Sequence, residues 1–477
     1  MCFRPLALLL SIGLLSGCAS VSEDSGFSDV NRLVSERTGE RVQWNRNSAD
    51  DQAATTAVQD LLKSPLSVDA TVQIALLNNR ELQATYEDLG ISQADLVQAG
   101  LLKNPLFSFS RLAGGNLVDM TLSIEFDFIN LLFTPSRAGI VASQFEETKL
   151  RVADAVLKTA MDVKTAYYAA LASEQSIEML QKVTKSTEMA AEIASRQYDA
   201  GTTNRRERDR QQAFYADTLA RLIKCRAENA AQRERLTRLM GLWGTDIDWA
   251  LPQHLPELPK KIPNRNDLET LAVNRRLDLL AVRKSTETFA KTLGITADTR
   301  FLTDADVGVS RESQTDQPTD IGPTLMLGLP IFDQGQARMA RAEAQYKQSH
   351  ARLYSMTVNA RSEVREAYAS LAGAYGVAKL QRKTILPLKN NILEETKLRY
   401  NGMLEGIYDL LVDAREQVIA GQTYIDALKD YWVAHAELER ATGGTLPQEQ
   451  NTTAPSSTPA PESAEPAPTV GHEHHAS

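Results

Sequence analysis

Leu117-Val118-Asp119-Met120-Thr121-Leu122-Ser123-Ile124-Glu125-Phe126-Asp127-Phe128 alternates strictly between apolar and polar residues from Val118 onward. Successive side chains of a strand point to opposite faces, so Val118, Met120, Leu122, Ile124, Phe126 and Phe128 share one face. Asp119, Thr121, Ser123, Glu125 and Asp127 share the other, which therefore carries three acids. The pattern returns late in the chain, where Leu325, Leu327, Leu329 and Ile331 alternate with Thr324, Met326, Gly328 and Pro330. Phe107 and Phe109 mark a partner strand for the first segment, and Val307 and Val309 one for the second. The segments approach the roughly 9–11 residues of a tilted membrane strand, and they alternate as transmembrane barrel strands do. The competing reading is a pair of soluble hairpins packed on helices. Four strands cannot close a barrel, and lipid does not tolerate an open sheet edge. If these strands span a membrane, several chains must share one barrel.

Working outward, each hairpin is flanked by helical sequence. Asp69 is the expected cap of a helix running to about Lys103, where Asn104-Pro105 stops it, because the residue before a proline is pushed out of the helical region. Residues 137–197, 204–240, 337–386 and 403–442 contain no proline and read as very long helices. Val152, Val156, Thr159, Val163, Ala166 and Ala170 follow spacings of four and three, a coiled-coil seam of small residues. A helix of about 60 residues is about 90 Å long, far more than a compact domain needs. The two halves are related. Val163-Lys164-Thr165-Ala166-Tyr167 returns as Val364-Arg365-Glu366-Ala367-Tyr368, and Arg196-Gln197-Tyr198-Asp199 returns as Leu398-Arg399-Tyr400-Asn401. Leu236-Thr237-Arg238 with Gly241 returns as Leu438-Glu439-Arg440 with Gly443, and Glu81-Leu82 as Asp278-Leu279. Four matches in one order at a nearly constant offset mean a tandem repeat. The expected organisation is a first repeat at 63–250, a linker at 251–263 and a second repeat at 264–444. The linker carries Pro252, Pro256, Pro259 and Pro263. The tail at 445–477 is rich in Pro, Ser and Thr and is expected to be disordered. The fold class is mainly α with a membrane β-barrel contribution.

The 477 residues hold 52 Lys plus Arg against 61 Asp plus Glu, a net charge of −9 that argues against a nucleic-acid partner. Arg4 precedes a largely apolar stretch from Leu6 to Leu15, too short to span a bilayer, and Leu15-Ser16-Gly17-Cys18 follows. This resembles the bacterial lipoprotein box. It implies a signal peptide at 1–17, lipidation of Cys18 and a lipidated, mostly irregular arm at 18–62. Ala19 after the Cys implies sorting to the outer membrane. Cys225 is then the one thiol left, in a context that suits packing rather than chemistry. No phosphate loop, Cys-x-x-Cys, His-Glu-x-x-His or Gly-x-Ser-x-Gly occurs, so the reading is a non-enzyme with no cofactor. His435 and His350, on helical stretches, are expected to be structural. Gly471-His472-Glu473-His474-His475 closes the tail, and His472, His474 and His475 form a compositional metal-binding signal.

Over about 63–444 the chain resembles the TolC-type outer-membrane efflux duct family. The residues that carry this are Leu77-Asn78-Asn79-Arg80-Glu81-Leu82, Leu102-Lys103-Asn104-Pro105 and Leu329-Pro330-Ile331-Phe332-Asp333-Gln334-Gly335. Tyr198-Asp199-Ala200-Gly201 and Tyr400-Asn401-Gly402 carry it at the helix tips. The family often has Pro where Arg80 stands, and 128–135 lacks the Pro-Ile-Phe-Asp ending of the second repeat. The resemblance implies a homotrimer with a 12-stranded barrel and a periplasmic helical tunnel, docked to a periplasmic adaptor and an inner-membrane pump. It also implies that Asp409 faces the lumen near the periplasmic gate. Asp413, four residues on, shares a helical face with it. The alternative for both acids is simply to stabilise the first turns of their helix. Tyr198, Gly201, Arg205, Tyr400 and Gly402 mark the two tips as the adaptor-docking surface, the first basic through Arg205, Arg206, Arg208 and Arg210, the second acidic through Glu405 and Asp409. Cargo stays open between metal cations such as copper, organic compounds and secreted proteins. A non-transport periplasmic coiled-coil lipoprotein is the remaining alternative.

Overall fold

The computed structural model describes residues 21–46, 49–115, 117–301 and 305–446. Two short helices, α1 (Phe27–Thr38) and α2 (Ala49–Leu62), precede the repeats. The first repeat runs α3 (Val68–Asn78), α4 (Arg80–Gly100), β1 (Leu106–Gly114), β2 (Leu117–Asp127), α5 (Phe128–Asp199) and α6 (Arg205–Met240). The second repeats that order with α7 (Leu268–Arg275), α8 (Leu277–Asp298), β3 (Ala305–Gln314) and β4 (Asp320–Leu327). Its long helices are α9 (Gln336–Leu380), a π turn over Gln381–Ile385, α10 (Leu386–Asn401) and α11 (Ile407–Thr442). Among the described residues no helix is long and apolar enough to cross a membrane.

The duplication is visible at matching joints. Gly241 ends α6 with φ 68° and lies on the α3–α4 junction, where an added Cβ would stand 2.7 Å from the Asn78 carbonyl oxygen. Gly443 ends α11 with φ 81° and lies on the α7–α8 junction, its Cβ position 3.0 Å from the Arg276 nitrogen. Both joints need a left-handed residue and a close backbone approach, which glycine supplies. Asn78 Nδ2 donates to the carbonyls of Met240 and Gly241 at 3.2 and 2.8 Å, and in the second half Arg275 Nη1 donates to the Thr445 carbonyl at 2.7 Å.

Several expectations need correction here. Ser67, not Asp69, caps α3, accepting from the Ala70 N–H, and the helix expected to reach Lys103 breaks at Asn79. The Asn79 side chain caps α4 by accepting from Glu81 and Leu82 N–H, an alternative to the backbone ladder that a short amide offers. β4 ends at Leu327, so Leu329 and Ile331 lie beyond the strand. α5 starts directly after β2 and takes Pro135 inside it. The second half's helix continues past Pro387 through the π turn, since the proline lacks an N–H and crowds the carbonyl four residues back. The arm is not mostly irregular. Val30 and Val34 of α1 are fully buried, and Phe27, Trp44 and Tyr86 form a ring cluster with centroids 5.2 to 6.3 Å apart. Arg37 donates from Nε and Nη2 to the Arg275 carbonyl, while the Thr445 N–H donates to the Arg37 carbonyl at 2.8 Å. The arm thus ties both repeats together. The proline linker is likewise laid on the helices: Leu251, Leu255 and Leu258 are buried, and Trp432 Nε1 donates to the Pro256 carbonyl at 3.0 Å.

The core lies where α3, the middle of α5, the C-terminal end of α6 and the C-terminal half of α11 meet. Val152, Val156, Val163, Ala166 and Ala170 of the seam are buried, with Thr159 partly so. α5 alone spans 72 residues, about 108 Å at about 1.5 Å per residue.

Candidate functional site: the sheet faces, the helix tips and the joint between repeats

The four strands form one antiparallel sheet in the order β1-β2-β3-β4, so both β1 and β4 present an open edge. Its register aligns Phe107, Ile124, Val309 and Pro323 in one row across the strands, and Phe126, Val307 and Leu325 in the next. These side chains share a face and are exposed along it, Phe107 at 62% and Leu325 at 66%. An apolar face exposed on that scale marks a surface built for another apolar medium. The opposite face carries Asp119, Glu125, Asp127, Asp306, Glu312 and Asp320, with Ser108, Ser123, Ser310 and Thr324 between them, whereas the two strand arginines, Arg111 and Arg311, lie on the first face toward the far rim. Ser108 and Ser123 hydroxyls are 2.7 Å apart, and Ser123 Oγ donates to Glu125 Oε1 at 3.1 Å. Glu125 lies across Gly308, where an added Cβ would run into the Ile124 carbonyl oxygen. All four strand ends on one rim, Leu106, Asp127, Ala305 and Leu327, lead into the helical half, so the hairpin turns occupy the far rim.

At the opposite end of the long helices lie two turns. In the first, Gly201 adopts φ 71° and Asn204 caps α6 by accepting from the Glu207 N–H. In the second the left-handed position is Met403, φ 59°, and not Gly402, whose φ is −79°. Met403 stands 202 residues after Gly201, so the turn geometry is duplicated while its glycine is not. Holding a non-glycine residue there costs on the order of 1–2 kcal/mol. Met403 and Leu404 are 94% and 79% exposed, and Tyr400 39%. Residue types alone did not single out this apolar pair; the repeat offset applied to Gly201 would have found it. Thr203 Oγ1 and Tyr408 Oη, 3.2 Å apart, join the two turns.

The expected charge contrast between the tips is weaker than the sequence suggests. Arg205 and Arg208 pair with Asp209, and Arg210 with Glu207, while Glu405 pairs with Arg399. Arg208 also lies over the Tyr198 ring, 4.3 Å from its centroid. Asp409 is exposed and its Oδ2 accepts from the Gly406 N–H at 3.3 Å, which caps α11. Asp413 is partly buried, and its Oδ2 accepts from Thr396 Oγ1 of α10 at 2.5 Å. The capping alternative therefore holds for Asp409 in the single chain, and the carboxylate stays open to solvent.

One titratable cluster lies where the repeats meet. Lys164 of α5 donates to Glu439 of α11 at 2.7 Å, their side chains only 14% and 8% exposed. Tyr168 stacks on Trp432 at 5.4 Å, and His435 sits against the Tyr431 and Trp432 rings. Burial pulls the His435 imidazole below its usual range, partly offset by Glu439. His350 is exposed, contrary to a buried structural role. Cys225 is half-buried with its thiol facing the Ser173 carbonyl, and burial pushes it up, which suits packing. Cys18, His472, His474 and His475 lie outside the described residues, among which no cluster of metal-ligating side chains occurs.

A sheet largely apolar on one face and acidic on the other, carried at the end of helices about 100 Å long, is the architecture of an outer-membrane channel. The chain belongs to the outer membrane efflux protein family, whose sequence model matches residues 40–242 and 270–444. Among solved structures it is similar to the CmeC outer membrane channel of Campylobacter jejuni, at 14% identity and TM-score 0.68, covering 87% of this chain and 91% of that one. VceC, an outer membrane protein of Vibrio cholerae, is similar at 18% identity and TM-score 0.66, covering 79% and 96%. CusC, described for conformational changes accompanying folding and transmembrane channel formation, is similar at 16% identity and TM-score 0.64, covering 79% and 92%. At these identities the likeness establishes the fold. No curated protein matches the chain in sequence.

Proposed function

We propose that the chain is one third of a homotrimeric exit duct in the outer membrane of a Gram-negative bacterium, anchored by lipid on Cys18. It passes cargo from a periplasmic adaptor and an inner-membrane pump to the exterior. The observation that carries this is the four-stranded sheet with an apolar outer face and two open edges. Lipid does not tolerate those edges, and three copies would join β1 to β4 of the next chain in a closed ring of 12 strands. The acidic faces then line the pore, and the long helices continue it as a tunnel. Tyr198, Gly201, Arg205, Tyr400 and Gly402, with the exposed Met403 and Leu404 beside them, form the adaptor-docking ends, the points farthest from the sheet.

Asp409 serves as the gate acid. Threefold symmetry brings three copies of one side chain together, and a ring of carboxylates attracts cations. Asp413, held by Thr396, backs it one turn further in. In reconstituted single channels, trivalent cations on the helical side should block the wild type, and Asp409→Ala should weaken that block by about tenfold or more, a change of about 1.4 kcal/mol. Unchanged block in Asp409→Ala would remove the gate role.

For cargo, the acidic pore face and the His472, His474 and His475 tract together favour a metal cation such as copper or silver. A deletion strain grown on graded copper, silver, zinc and cobalt beside dyes and antibiotics decides it. Metal sensitivity is the expected result, and sensitivity to the organic compounds alone would make the duct an organic-compound exporter.

A further inference from the structure

At the helical rim of the sheet, a cavity of about 410 Å³ opens between the end of α4 and the start of α5. Apolar side chains of the segment that follows α4 and of α5 line it, chiefly Leu101, Leu102, Ile140 and Val141. Two cations enter the same space, Lys103 and Arg137. Lys103 is bound to Asp127 at 2.7 Å yet its side chain is 65% exposed. Arg137 has no carboxylate partner among the described residues. Its Nη2 donates to the Asn130 carbonyl and amide oxygens and to Thr134 Oγ1, and its Nε is buried with no hydrogen-bond partner at all. A buried guanidinium N–H left unpaired is costly, and natural proteins seldom leave one so. One carboxylate against two cations leaves the cavity with a net positive charge.

Position identifies what would supply the missing anion. Lys103 in the cavity wall pairs with Asp127, where β2 leaves the sheet, so the cavity sits at the edge of the apolar band and on the side of the long helices. Phe128, Leu131 and Leu132 are exposed just beyond that edge. From these observations we infer that the cavity holds one anionic phospholipid of the leaflet facing the helices. Its phosphate takes the Arg137 guanidinium and the Lys103 ammonium, and an acyl chain lies along Leu101, Leu102 and Val141. A guanidinium meets phosphate oxygens through paired N–H donors, which a neutral headgroup does not answer. Basic pockets beside a membrane-embedded wall select anionic headgroups for the same reason. The lipid would seal the seam between sheet and tunnel, where strand pairing has ended and helix packing has barely begun. The inference rests on the outer-membrane reading above.

Native mass spectrometry of the detergent-extracted, full-length protein, titrated with phosphatidylglycerol, tests it. Wild type should retain up to one such lipid per chain, and phosphatidylethanolamine should be held at least about tenfold more weakly. Lys103→Gln with Arg137→Gln should lower phosphatidylglycerol retention by a similar factor with the oligomer mass unchanged. Val141→Phe, which fills the apolar part and leaves both cations, should also expel the lipid, and it covers the case in which the charge variant does not assemble. Equal retention by wild type and both variants overturns the inference, as does displacement of the lipid by inorganic phosphate alone, which would make the site one for free phosphate. A second copy of the chain covering the cavity would leave no lipid on wild-type oligomers, and that result also overturns it. A wild-type protein that runs as a water-soluble monomer would instead refute the duct reading.

Discussion

Val309→Arg is expected to remove the protein from the outer membrane. Val309 sits mid-strand on the apolar face, paired across the register with Ile124 on one side and Pro323 on the other. A cation at the midplane of a lipid-facing barrel surface costs about 2–4 kcal/mol, and in the proposed ring of three chains that cost falls once per chain. Ser310→Arg, one residue along and on the acidic face, should leave assembly intact and reduce conductance, because a pore side chain remains in water. Separation of membrane and soluble fractions, followed by conductance of whatever assembles, reads both. If the two variants partition alike, the assignment of the faces is wrong.

Glu439→Ala should be the most damaging single change outside the sheet. It leaves Lys164 buried between the repeats with its charge uncompensated, and breaking a buried pair from one side costs about 3–5 kcal/mol. Lys164→Met with Glu439→Leu removes both charges together and should restore stability to within about 1 kcal/mol of wild type, since an apolar pair of similar volume often replaces a buried ion pair without loss. The measurement is the thermal midpoint of the detergent-extracted protein. A double variant as unstable as Glu439→Ala would show that the two side chains act through their packing on Tyr168 and Trp432 and not through charge.

The features legible in the sequence are those set by local periodicity. Alternation placed the hairpins because a strand with unlike faces must repeat every second residue, and proline-free stretches placed the long helices. What was missed depends on distant contacts. α1 has little to recommend it alone; it forms because Val30 and Val34 bury against α5 and because Lys149 pairs with Asp29 at 2.8 Å. The break at Asn79 carried a local signal, an Asn two residues before a Glu, but one that a continuous apolar pattern over 72–89 hides. At the tips, Gly201 announced its turn, whereas Met403 adopts the same backbone without the residue that would advertise it. The buried Lys164–Glu439 pair was out of reach altogether, because its two halves are 275 residues apart.

The matched joints at Gly241 and Gly443 have a consequence for how such a molecule changes length. They pin both halves at the same height, so every residue between joint and tip becomes a graduation on a common ruler. Lengthening one arm of a hairpin alone would slide its seam out of phase with its mate and tilt that tip away from the other. Growth or shrinkage must therefore come in blocks of seven, taken together from α5 and α6 and again from the corresponding helices of the second half. One such set would move the tips by about 10 Å, which is the smallest step by which a lineage could change the distance between the sheet and the tips.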